Sequence, residues 1–231
     1  LLEHATHRSL DGDELASLLD ALRRIENLNA WAASHPEFPA LNALLAGAPS
    51  LSDLLSLLEV TIDERGEVRD SADTAIPPLR KDLIKAEGHR KKALQEALEQ
   101  LGRQGFLQET RPVFRGDRPA LAVKSTHQGR ARGILHDRSK SGDTVYVEPD
   151  SVVEWSNQMA SIESRLRQVI QRVLSECTRS FVRRRRDLED SDYRLGQTDL
   201  AFATAKWAVE VNGQWPEMPS QSLRLLEARH P

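Results

Sequence analysis

Apolar residues recur at helical spacing along most of the chain. In DGDELASLLDALRRIENLNAWAA, Leu15, Leu18, Leu19, Leu22, Ile25 and Leu28 mark one face, and Asp11 or Asp13 can cap it. A helix is therefore predicted from Asp11 to Ala33. Two prolines in SHPEFPA end it. LNALLAG and PSLSDLLSLLEVTI read as short helices parted by Gly47 and Pro49. DERGEVRDSAD reads as a turn or short hairpin bent at Gly66. A long helix follows Pro77 and Pro78 and runs to about Gly105. Its stripe is Leu79, Leu83, Ala86, Ala93, Leu94, Ala97, Leu98 and Leu101, with Pro78 suited to the first turn.

Between residues 111 and 149 the period falls from helical to two. PALAVKS and DTVYVEP alternate, ARGILHD is a third short run, and RGD, THQG and KSG separate them. This pattern predicts a compact antiparallel meander of three or four strands. A second long helix is predicted from about Val152 to Arg186. Trp155, Met159, Ile162, Leu166, Val169, Val173 and Cys177 follow one another at steps of four or three, a seam like that of a two-stranded coiled coil. Roughly 33 residues at about 1.5 Å each make a rod of about 50 Å. The strands begin where one long helix ends and stop where the next begins. An antiparallel helix pair with the strands at its tip is the shortest connection. DLEDSDYRLGQTDLAFATAKWAVEV then forms one or two further helices.

The expected fold is mainly α: a helical core and two long antiparallel, coiled-coil-like lever helices that carry a small antiparallel β clamp. The divisions are 1–76 for the first part of the core, 77–110 for the outgoing lever, 111–150 for the clamp, 151–189 for the returning lever and 190–231 for the second part of the core.

Composition agrees. The chain has 231 residues, 39% hydrophobic and 29% charged, with aromatics at only 5%, too few for a typical barrel or sandwich. The single cysteine, Cys177, excludes an internal disulfide framework and a cysteine zinc cluster, and it falls on an apolar stripe. That usage points to a reducing, cytoplasmic compartment. No apolar run approaches a membrane span, so no membrane partner is expected. The opening LLEHATHRSL and the closing LLEARHP read as the ends of a piece cut from a longer chain.

Charge changes the picture most. From Arg111 to Lys140 there are eight Arg or Lys and two acids, a net +6 in a chain of net −3, so the remainder carries −9. A basic tip on an acidic body points to a polyanion, bound through backbone phosphates with salt-dependent affinity. A merely solvated tip is the plainer alternative. Base stacking draws little support, since Tyr146 and Phe114 are the only aromatics counted near the tip.

Catalysis is weaker. His136 and Asp137 could be a base and its orienting acid, with Ser139 or Ser141 as nucleophile. Adjacent strand residues point to opposite faces, however, and no G-x-S-x-G elbow is present. His4, His7, His35, His89, His127 and His230 show no metal spacing, and there is no Walker-type phosphate loop. Arg183 to Arg186 could bind phosphate, but the acids that follow suit helical i,i+4 pairing better.

The order of DERGEVRDSAD, LQET, FRGDRPALAVKS, RGILHDRSKSGDTVYVEP, WSNQM, DLAFATAKWA and LLEARHP resembles the Smr-tailed bacterial MutS proteins, the MutS Two family, over nearly the whole chain. The resemblance implies a core, lever and clamp segment without catalytic motifs. In the family, EARHP leads into an ABC-type ATPase domain, and a nuclease-like Smr domain follows. ATP and Mg are therefore expected in the full-length protein and no cofactor in this segment. Members are homodimeric clamps associated with branched or double-stranded DNA, suppression of recombination, and rescue of collided ribosomes through contacts that include rRNA. Mismatch repair is not implied. By position, Arg115, Arg118, Lys124, Arg130, Arg132, His136, Ser139 and Lys140 lie in the clamp and are the nucleic-acid candidates. Gly142 and Pro149 shape the turn and the last strand end, while Glu148 and Asn157 brace the strand-to-helix joint. Family sequences commonly have Tyr and Pro where Pro119 and Ala122 stand. A structural coiled-coil module joining protein partners through the Trp155-to-Cys177 seam is the alternative function.

Overall fold

A computed structural model describes residues 8–213. His4, His7, His230 and LLEARHP lie outside the described residues. The helices are α1 (Gly12–Ser34), α2 (Pro39–Leu45), α3 (Ser52–Thr61), α4 (Ile76–Arg103), α5 (Asp150–Arg183) and α6 (Arg185–Glu210). Between α4 and α5 lie four strands: β1 (Val113–Arg115), β2 (Arg118–Lys124), β3 (Gly133–Arg138) and β4 (Thr144–Pro149). The fold is mainly α with one small antiparallel sheet, as expected. The chain divides into two compact units. One takes residues up to Leu19 and Ser56–Arg183; the other takes Asp20–Leu55 and residues from Arg184 onward.

In the first unit, α4 and α5 form an antiparallel pair. Asp73, just before α4, bonds Arg172 late in α5 at 2.6 Å, whereas His89, further along α4, stacks on Trp155 near the start of α5 with ring centroids 4.4 Å apart. The expected seam is filled from within: Trp155, Met159, Ile162, Leu166 and Val169 pack with Leu79, Leu83 and Ala86 of α4. The α4 stripe then changes partner. Leu94, Ala97, Leu98 and Leu101 pack against Leu121, Val123, Val145 and Val147 of the sheet. One continuous helical face thus serves a helix along its first half and a sheet along its second, joining the strands to the pair by apolar burial.

Further along α5, Val173, Leu174, Cys177, Thr178 and Phe181 are buried. Thr178 Oγ1 accepts the Leu10 backbone N–H at 2.9 Å, and the Cys177 thiol lies 3.7 Å from Thr61 Oγ1. Burial pushes that thiol above its ordinary pKa, as suits a small core residue. The expected hairpin at 62–68 is present: Ile62 bridges Val68, and Asp63 accepts the N–H groups of Arg65 and Glu67, each at 2.9 Å.

The second long helix stops at Arg183, short of the predicted Arg186. At the break Arg184 leaves the helical region, with φ −99° and ψ 17°. The Arg184 guanidinium is drawn to Asp53 at 2.6 Å, the Ser50 carbonyl at 2.6 Å and Asp187 at 2.5 Å. Arg185 bonds Glu189 at 2.6 Å, so these two of the four consecutive arginines are occupied by neighbouring acids. Arg194 donates to the Leu44 and Ala46 carbonyls, at 3.1 and 2.8 Å, where α2 ends.

The sheet order is β1-β2-β4-β3, with every neighbouring pair antiparallel. This corrects the expected meander. After β2, a 3₁₀ segment at Ser125–Arg130 carries the chain past the position that β4 later fills. β4 is buried along most of its length and takes the centre, while β3, exposed throughout, takes the edge. Pro119 does not interrupt the β2–β4 ladder, whose pairing starts at Leu121.

Candidate nucleic-acid interface

The sheet's two faces differ in chemistry. Leu121, Val123, Val145 and Val147 look toward α4. Strand alternation places Arg118, Ala120, Ala122, Tyr146 and Glu148 on the other face. The two alanines are fully buried despite their size. The Arg115 guanidinium lies over the neighbouring Tyr146 ring, 3.7 Å from its centroid.

Glu148 is the least ordinary residue here: an acid with 0% exposure. His136 Nε2 is 2.8 Å from its Oε2, and Arg118 reaches its Oε1 at 3.5 Å. Arg118 also donates to Asn157 Oδ1 of α5 at 2.8 Å. A buried carboxylate is tolerated when cationic or polar partners surround it. The four residues link β2, β3, β4 and the first turns of α5. Glu148 and Asn157 therefore stand at the strand-to-helix joint, and two of the nucleic-acid candidates, Arg118 and His136, direct polar atoms at them.

His136 gets there because β3 bulges. Leu135 pairs with Val147 and Asp137 with Tyr146, so two steps on β3 answer one on β4 and His136 is the extra residue. Simple alternation does not hold at this point. The would-be dyad is still divided, because Asp137 turns to Arg115, with Oδ2 3.6 Å from Nε. Ser139 Oγ accepts the Thr144 N–H at 3.1 Å and lies 3.3 Å from Ser141 Oγ, so it closes the hairpin. Neither serine is hydrogen bonded to His136.

Glycine fixes both ends of the β3–β4 hairpin. Gly142, with φ +80°, donates its N–H to the Ser139 carbonyl at 2.9 Å. Gly133, with φ +154°, sits opposite Pro149, where a Cβ would run into the Glu148 carbonyl. The requirement at Gly133 becomes visible only once β3 and β4 are paired.

Three of the remaining four candidates face outward. Arg130, Arg132 and Lys140 are exposed and make no ion pair among the described residues. Lys124 Nζ donates to the Gly105 carbonyl at 3.0 Å. Arg138, not among the candidates, is held by Gln128 at 2.7 Å. Two aromatics missed from the sequence join the group. Residues 106–108 pair with β2: the Lys124 N–H donates to the Phe106 carbonyl at 2.9 Å and the Gln108 N–H to that of Ala122 at 2.8 Å. Phe106 thereby stacks on His127 with centroids 4.6 Å apart and rings inclined by 22°, and the Arg130 guanidinium lies 5.7 Å from its centroid.

Among the described residues no group of three His, Cys, Asp or Glu could hold a metal ion, and no helix is long and apolar enough to cross a membrane.

No family model matches the chain. Curated relatives do. A protein named Endonuclease MutS2 from Geobacillus sp. (strain WCH70) is 31% identical over 227 residues, 97% of this chain and 29% of that protein. One of the same name from Listeria monocytogenes serotype 4a (strain HCC23) is 28% identical over 94% of this chain and 28% of its own length. Another, from Caldicellulosiruptor saccharolyticus, is 28% identical over 96% of this chain and 28% of its own length. The chain spans less than a third of the length of these relatives.

Proposed function

Because the chain belongs to the MutS2 family, we propose that it is the clamp and lever segment of a MutS-type ATPase and that its sheet holds nucleic acid through the phosphate backbone. The supporting observation is the set Arg130, Arg132 and Lys140: exposed, without acidic partners, and carried on a sheet fixed to the end of a helix pair. Each cation that neutralises a phosphate releases counterions, which gives sequence-tolerant, salt-dependent binding. The targets in this reading are branched or double-stranded DNA and the rRNA of the ribosome. The roles are suppression of recombination and rescue of collided ribosomes, performed by a cytoplasmic homodimer.

In this reading ATP and Mg belong to the full-length protein, and this segment takes no cofactor of its own. An ATPase domain and a nuclease-like domain elsewhere in the longer protein would supply that chemistry. This segment contributes grip and reach. At about 1.5 Å per residue, the 34 residues of α5 extend about 51 Å, so a small rotation at one end of the helix pair becomes a displacement of several Å at the sheet.

The test is an anisotropy titration of a labelled four-way DNA junction and of an rRNA helix across a salt series. Reversing Arg130, Arg132 and Lys140 to Glu together should lower the slope of log affinity against log salt by about 3. Unchanged affinity and slope for both ligands would reject the reading.

A further inference from the structure

Arg118–His136 contains four Arg or Lys and no acid at all. Within it, the Ser125–Arg130 turn brings His127 onto Phe106. Both rings are half-buried, the stack leans on the sheet core, and Arg130 lies over Phe106. His127 Nδ1 is engaged by Thr126 Oγ1 at 2.9 Å, while Nε2 makes no hydrogen bond among the described residues. Lys124, which bonds the carbonyl of Gly105, adds a further cation beside the stack. Phosphate contacts alone need no aromatic ring. A ring pair with cations around it and one unspent polar edge matches a base flanked by its own phosphates.

We infer that the Phe106–His127 stack, with Lys124 and Arg130 beside it, is a stacking subsite for an unpaired base. The inference rests on the nucleic-acid reading above and narrows its ligand: the sheet prefers strands with unpaired bases to continuous duplex. A base lies against the aromatic pair, its edge meets His127 Nε2, and the adjoining phosphates meet Arg130 and Lys124. Stacking tolerates any base, so the preference is for unpairing rather than for sequence.

The experiment uses the whole chain and two matched probes, a fully paired duplex and the same duplex with a short single-stranded flap. Both are made in DNA and in RNA, with 2-aminopurine in the flap. The unaltered chain should bind the flap at least fivefold more tightly than the duplex and change the 2-aminopurine fluorescence. His127→Ala should bring the two affinities within about twofold while leaving the duplex affinity and the salt slope unchanged. His127→Phe, which restores a ring, should recover the preference; a side chain that served only to close the fold would not separate the probes in this way. Equal binding of flap and duplex by the unaltered chain, or a preference that survives His127→Ala, overturns the subsite and leaves the phosphate reading standing. No binding of either probe overturns both. The DNA and RNA arms show which backbone the subsite accepts.

Discussion

Arg118 and Arg132 belong to the same basic stretch but have different surroundings. Arg118 sits on the polar face of the sheet, 27% exposed at its side chain, and divides its donors between a buried glutamate and an asparagine on α5. Arg132 is exposed, has no acidic partner among the described residues, and gives the fold only its backbone carbonyl, which accepts the Asp150 N–H at 3.3 Å. Sequence counts both as equal positive charges. Their surroundings make the first an internal brace and the second a group still available to a ligand, because a cation already desolvated against an acid has less to offer a phosphate. Arg115 on Tyr146 and Arg184 on Asp53 belong with Arg118; Arg130 and Lys140 belong with Arg132. Net charge locates a polyanion site only after the braced cations have been set aside.

The largest expected effect breaks the brace at its centre. Glu148→Ala removes the acid shared by His136 and Arg118 and opens a cavity where a fully buried side chain stood. Loss of one member of a buried charged set should cost about 3 kcal/mol in a urea unfolding curve. Glu148→Gln keeps the shape and some hydrogen bonding and should cost about half as much. A loss under about 1 kcal/mol for Glu148→Ala would show that the cluster is not a brace, and Arg118 would return to the ligand-facing group.

The next effect sets the two arginines against each other. Arg118→Ala should lower stability by about 1 to 2 kcal/mol, since it leaves Glu148 with one partner fewer in a buried place. Arg132→Ala should leave stability within about 0.5 kcal/mol and lower the salt slope of junction binding by about 1. The contrast fails if the two variants behave alike in both measurements.

How much of this was legible in the sequence depends on how local the cause is. The helix pair was, because Leu79, Leu83 and Ala86 on one side and Met159, Ile162 and Leu166 on the other announce their faces within a few turns each. The place where the last strand meets the second long helix was also legible, because Pro149 marks the end of β4 and α5 begins at Asp150. The strand order was not: whether β4 lies beside β2 or beyond β3 is decided by how buried β4 becomes, a nonlocal outcome. The bulge at His136 follows from that pairing, and so does the need for glycine at 133. Local sequence places Phe106 in the outgoing lever, but that helix ends at Arg103, and only pairing with β2 brings Phe106 to His127. Two rings thus meet at the tip that local sequence does not bring together.

The smallest expected effect is a change of pH, which loosens a braced cation without altering any side chain. Asp73 accepts the Ala75 N–H at 2.8 Å and an Arg172 N–H at 2.6 Å, and these contacts, the backbone one first, hold its pKa below the ordinary carboxylate value. Asp63 is lowered likewise by the N–H groups of Glu67 and Arg65. A carboxylate whose folded pKa lies below its unfolded one stabilises the fold fully above the unfolded value, and that contribution is lost as pH falls through the folded value. The contribution of both acids is therefore complete at pH 7, starts to fall near pH 4, and goes on falling below it. Asp73→Asn together with Asp63→Asn should flatten the urea midpoint between pH 5 and about pH 3, with little change in the slope from pH 7 to 5. Arg172 would lose its acidic partner across that window, whereas Arg132 and Lys140 have none to lose. An undiminished acid slope in the double variant would place the acid sensitivity at other carboxylates.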